Sequence, residues 1–137
     1  MPQNPSTDPH SRWNVAPFFI VDDVIAAANF YRDKLSFCYD RFWGEPPRFT
    51  IVGRNGSYIM LRQVGSPGFV RPNRTPDPED FVLDAYIGVE GVDDLYAEFK
   101  HKGVKVVREI CDQEHGCREF DIEDCNGYRL CFGQIIR

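Results

Sequence analysis

Apolar residues recur at helical spacing in two stretches of the chain. In "VDDVIAAANFY", which starts at Val21, and in the residues just after it, Val24, Ala27, Ala28, Tyr31 and Leu35 fall three or four positions apart, one stripe of a helix. In "VEGVDDLYAEF", from Val89 onward, Val92, Leu95, Tyr96, Phe99 and Gly103 repeat those steps at an offset of 68 residues. Asp22 and Asp23 in the first copy, and Asp93 and Asp94 in the second, supply carboxylates at the helix start. There they meet free N–H groups and the positive end of the helix dipole. Gly103 suits the left-handed residue that ends a helix, and Ser36 holds the matching place in the first copy.

Short runs of β-branched and aromatic residues surround each stripe. "APFFIV" and "AYIGV" precede the two helices; "FCYDRFW", "RFTIVG" and "SYIMLRQV" follow the first, and "VKVVREI", "REFDIE" and "YRLCFGQII" follow the second. Asn55-Gly56 and Asn126-Gly127 join the last two runs of each set, as expected for tight hairpins. The pattern predicts an α+β fold, βαβββ twice. The two modules are expected to form a curled mixed eight-strand sheet with a concave groove, since each sheet hides one face under its helix and leaves the other to be used. The expected boundaries are a loose N-terminal tail over 1–14, modules over 15–64 and 84–137, and a Pro-rich linker over 65–83.

Composition narrows the partners. With 137 residues, 42% of them hydrophobic, the chain can bury a single core without staples. Five cysteines, Cys38, Cys111, Cys117, Cys125 and Cys131, form no CxxC pair, which argues against a disulfide framework and for free thiols in a reducing, cytoplasmic setting. No apolar run is long enough to cross a bilayer, and the N-terminus lacks the basic-then-apolar order of a secretory leader. A net charge of −5 without a basic cluster argues against nucleic acid as a partner.

"FFIVDDVIAAANFYRDKLSF", "YIGVEGVDDLYAEFKHKGVKVV" and "HGCREFDIEDCNGYRLCFGQ" resemble, in order and separation, the module openings and closing hairpin of a known family. It is the glyoxalase, bleomycin resistance protein and extradiol dioxygenase superfamily, also called vicinal oxygen chelate proteins. The resemblance spans Val15 to Gln134. Ser36 stands where the family usually has Gly, and Cys125 where it usually has Pro.

The resemblance implies four metal-ligand positions, which fall on Ala16, Met60, Asp84 and Cys131. Ala16 and Asp84 lie 68 residues apart, and Met60 and Cys131 lie 71 apart, so the internal repeat keeps the same register. Alanine has no lone pair to offer, and a thioether is a poor donor to the hard or borderline ions these enzymes use. Neither a metal nor any other cofactor is therefore expected.

Strand alternation sets the expected lining of the groove. Phe18 and Ile20 share a face with Ala16; Tyr58 and Arg62 share one with Met60; Tyr86 goes with Asp84, and Arg129 with Cys131. Glu119 and Asp121 should point inward while Phe120 and Ile122 meet the helix; Phe42, Trp43 and Phe49 are further candidates, subject to any bulge in the second strand. The candidate ligand-binding set is thus Phe18, Phe42, Trp43, Phe49, Met60, Tyr86, His115, Glu119 and Cys131. Aromatic rings beside carboxylates suit a small aromatic or cationic ligand. The resemblance implies a homodimer that binds such a molecule without metal, as the bleomycin-resistance members do against an antibiotic. The alternative is a lyase, isomerase or dioxygenase of the same superfamily, with Cys131 as a nucleophile if His115 or Glu119 activates it.

Overall fold

The computed structural model describes residues 13–66, 68–77 and 79–136, so the expected tail lies outside the described residues up to position 12. In chain order the elements are β1 (Phe18–Val21), α1 (Val24–Leu35), β2 (Cys38–Trp43), β3 (Phe49–Arg54) and β4 (Ser57–Gln63). Then follow β5 (Ala85–Gly88), α2 (Val92–His101), β6 (Lys105–Asp112), β7 (Cys117–Glu123) and β8 (Arg129–Ile135). The order is βαβββ, repeated. The strands make two four-stranded mixed sheets, β1-β4-β3-β2 and β5-β8-β7-β6. In each sheet the first strand runs parallel to the last of its module, and the remaining pairs are antiparallel. Among the described residues no ladder joins one sheet to the other.

The helices form where the apolar stripes predict. All five stripe residues of α1 are buried, and Asp23 caps its start by accepting from the Ala26 N–H at 3.0 Å. In α2, Val92 and Phe99 are buried and Leu95 and Tyr96 are partly so. Asp93 and Asp94 sit within its first turn, while the capping position is Gly91 (φ 68°), which offers no side chain. They complement the dipole and cap nothing. Both helix starts share a device that periodicity does not reveal. Gln63, the last residue of β4, accepts from the Val24 N–H at 2.9 Å, and Gln134 of β8 accepts from the Val92 N–H at 3.0 Å.

The two Asn-Gly turns differ. Asn55 and Gly56 both have positive φ, 50° and 84°, giving the two-residue hairpin that this dipeptide favours. At the second, only Gly127 (φ 86°) is left-handed, and the loop widens over 124–128. Asp124 explains the difference, since one carboxylate oxygen accepts from the Asn126 N–H at 2.8 Å and from the Tyr128 N–H at 3.0 Å.

One hydrophobic core runs through both modules, from Phe19, Val21, Val52 and Leu61 to Phe120, Ile122 and Phe132. Burying one such side chain contributes about 1.5–3 kcal/mol, so this shared core outweighs any single ion pair in holding the halves together. Polar links fix the seam: Phe19 stacks on Tyr128 at 4.1 Å, and the Tyr128 hydroxyl donates to the Ile20 carbonyl at 2.6 Å. Arg54 donates to both carboxylate oxygens of Glu98, at 2.8 and 2.9 Å, and the Lys102 ammonium meets the Ser36 hydroxyl. With the helix-bearing faces consumed by the core, the opposite faces of the sheets stay open. Phe18, Trp43, Tyr58 and Tyr86 there are between 39% and 57% exposed.

Candidate functional site

On the first sheet the open face is aromatic. Register sets Phe18 beside Met60 and Met60 beside Ile51, while Phe49 lies opposite both Arg62 and Trp43. The rings form a row, with centroids 6.1 Å apart for Phe18 and Phe49 and 5.7 Å for Trp43 and Phe49. The Arg41 guanidinium stands 4.7 Å from the Trp43 ring centroid, a cation–π contact. Trp43, Ile51 and Tyr58 line a hollow of about 590 Å3 on this face. Phe42 does not belong here. A register shift between Tyr39 and Phe42 sets Phe42 opposite the buried Thr50, and it packs on the core beside Tyr39 at 5.0 Å. The extra residue of the bulge reverses the alternation that would have aimed it outward.

On the second sheet the open face is charged. Asp121, Cys131 and Tyr86 lie in register across three strands, as do Glu119, Gly133 and Gly88. Arg108 gathers this face: it donates to the two oxygens of Asp121 at 2.9 Å each, to Glu119 at 3.0 Å and to the Cys131 sulfur at 3.5 Å. The Phe81 ring lies 4.5 Å from its guanidinium carbon. The Tyr86 hydroxyl donates to Glu119 Oε2 at 3.0 Å, reaching over Gly133, where a Cβ would collide with it. His115 Nε2 stands 3.4 Å from the same oxygen, on an exposed side chain at the rim. Among the described residues, every buried side-chain polar atom has a partner.

These contacts set the proton affinities. Burial pushes the Cys131 thiol well up, and Asp121 beside it adds to the effect. This direction favours the thiol over the thiolate, and among the described residues neither His115 nor Glu119 bonds to the sulfur, as the alternative with Cys131 as a nucleophile requires. Burial alone would raise Glu119, but hydrogen bonds from Arg108 and Tyr86 outweigh it and leave the carboxyl below its ordinary range. Tyr86 is raised by burial, by Cys117 and by Glu119, so it serves as a donor.

The residues present do not furnish the family's metal cage. Ala16 has no donor atom and Met60 offers only a thioether. Asp84 braces the backbone, its two oxygens accepting from the Asn73 N–H at 2.6 Å and the Arg129 N–H at 2.8 Å, and of the other three positions only Cys131 carries a donor suited to such an ion. Cys131 is a buried sulfur that accepts from the Arg108 guanidinium, and burial pushes its thiol well up.

Strand alternation brings Phe18, Trp43, Phe49 and Met60 to one open face, and Tyr86, Glu119 and Cys131 to the other. Arg108, the hub of the charged face, escaped it because β6 shifts register on both sides of Arg108. A larger cleft, about 940 Å3, lies at the seam by Arg54, Glu98 and the start of α2. Of its four charged residues, Arg54 and Glu98 pair with each other, and Glu90 and Asp94 add two further carboxylates to its lining.

The same architecture occurs in solved proteins. TioX from Micromonospora sp. ML1 superposes with a TM-score of 0.70 at 16% identity, over 91% of this chain and 100% of that one. A glyoxalase-related enzyme from Clostridium phytofermentans gives 0.71 at 17% identity, over 93% and 98%. A glyoxalase/bleomycin resistance protein/dioxygenase from Alicyclobacillus acidocaldarius gives 0.71 at 17%, over 90% and 91%. At these identities the likeness is one of fold. No curated protein matches the chain in sequence. The sequence profile of one family matches residues 15–132, nearly all of both modules. The chain belongs to the Glyoxalase/Bleomycin resistance protein/Dioxygenase superfamily.

Proposed function

We propose that the protein binds a small organic molecule, aromatic or cationic, on its open sheet faces, without using the metal cage of the superfamily's enzymes. The observation that carries this reading is the ring row Phe18–Phe49–Trp43, exposed at Phe18 and Trp43 and half-buried at Phe49, beside the 590 Å3 hollow. A protein does not leave such rings in water without cost, and stacking on a flat ligand returns about 0.5–1.5 kcal/mol per ring pair beyond area burial. The charged face supports a cationic group, because Glu119 and Asp121 carry two negative charges against the one positive charge of Arg108. Exposed rings on both faces also support a homodimer that covers them in part. Antibiotic sequestration is the use we favour.

A thermal-shift screen of flat aromatic and cationic compounds, bleomycin-type molecules included, tests the reading. A ligand present at a hundred times its Kd stabilises the fold by about 2.7 kcal/mol. Met60→Trp, which fills the aromatic face, and Tyr86→Ala should abolish any response. A response unchanged in both variants overturns the location, and a dimer is checked by sedimentation at several concentrations.

A further inference from the structure

We propose that His115, Cys117 and Glu119 form a divalent-metal site of their own, suited to zinc and separate from the four family positions. The spacing H-x-C-x-E produces it. Alternate residues of a strand share a face, so Cys117 and Glu119 project together from β7. His115 joins them because Gly116 (φ 91°) closes a tight turn just before the strand, its N–H bonded to the Gln113 carbonyl at 3.0 Å. One donor atom from each of the three residues lies within 4.8 Å of the other two.

The donor set selects the ion. An imidazole nitrogen, a thiolate and a carboxylate oxygen together suit zinc or cobalt, and the sulfur disfavours magnesium and calcium. Three protein donors leave a fourth position for water or a ligand, and the exposed His115 side chain keeps that side open. The carboxylate is already oriented, with Arg108 on Oε1 at 3.0 Å and the Tyr86 hydroxyl on Oε2 at 3.0 Å. Such outer partners fix ligand geometry in metal sites. Charge also balances. Glu119, Asp121 and a Cys117 thiolate carry three negative charges against one on Arg108, and a dication makes the cluster neutral. Binding releases the Cys117 proton to solvent.

This site does not rest on the organic-ligand reading, since it is tested with metal alone. Reduced full-length protein is titrated with Co2+ and followed for a thiolate-to-cobalt charge-transfer band, then with Zn2+ to displace it. The expected result is one ion per chain and a band that vanishes in Cys117→Ser but persists in Cys111→Ala. His115→Ala and Tyr86→Phe should each weaken binding roughly tenfold or more. His115 is exposed and Tyr86→Phe deletes one oxygen, so unchanged melting of the metal-free variants verifies their folding. The absence of a band, a band that survives Cys117→Ser, or affinity unchanged in His115→Ala overturns the proposal.

Discussion

Tyr31, on the helix of the first module, donates its hydroxyl to Asp124 in the last loop of the second, at 2.6 Å and buried from solvent. The same carboxylate shapes its own loop through two backbone N–H groups, so one buried acid both folds a turn and clamps the modules together. Tyr31→Phe should destabilise the protein by about 1.5–3 kcal/mol, the range for a hydrogen bond to a charged group. Asp124→Ala should cost more, because the loop loses its template as well. Urea denaturation of the two single variants and the double variant checks this, with clear non-additivity expected.

The Arg54–Glu98 pair makes part of the seam sensitive to acid. Arg54 hydrogen-bonds Glu98 and lowers its carboxyl pKa, with Lys102 and Ser36 adding smaller effects. The folded value therefore lies below the unfolded one. The stabilisation is complete above the ordinary glutamate value of about 4.3 and is lost as pH falls through the folded value. The pair is partly exposed, so after solvent screening it is worth less than about 1 kcal/mol. Urea midpoints across this range should fall with acid more steeply in the parent than in Glu98→Gln.

Among the described residues, Arg108 is the only cation bonded to the fully buried Asp121. Arg108→Met should cost about 3–5 kcal/mol, because a buried carboxylate is left without its counter-charge. Adding Asp121→Asn to that variant should recover part of the loss. Chemical denaturation of the three proteins reads both effects.

Gly133→Ala separates site from scaffold. The new methyl collides with the tip of the Tyr86 side chain, which is 47% exposed and free to swing into solvent. Stability should change by less than about 1 kcal/mol, in contrast with overpacking in a closed core. The Tyr86–Glu119 bond is lost, and any ligand or metal response that uses this face should weaken with it.

The modules were legible in sequence because each level agreed: the α1 stripe, the Asn55-Gly56 turn and the alternation of Phe19 with Phe18 all point one way. Legibility fails where strands bulge. Phe42 faces the core because β2 slips register between Tyr39 and Phe42, and Arg108 gathers the charged face from between two slips in β6. A bulge leaves no composition cue, so parity counting along the strand cannot cross it. Asn126-Gly127 misled for another reason: the pair promised a two-residue turn, but Asp124 uses its carboxylate to build a wider one. Repeat arithmetic set Asp84 on a ligand position of the family, but it carries no sign that the two oxygens accept from two backbone N–H groups.

Gln63 and Gln134 each close a strand and begin a helix with one amide. A slip of β4 by one residue would carry the Gln63 carbonyl away from Val24 and turn Leu61 out of the core together. Each half thus proofreads its own assembly: helix docking is rewarded only when the ladder is correctly threaded.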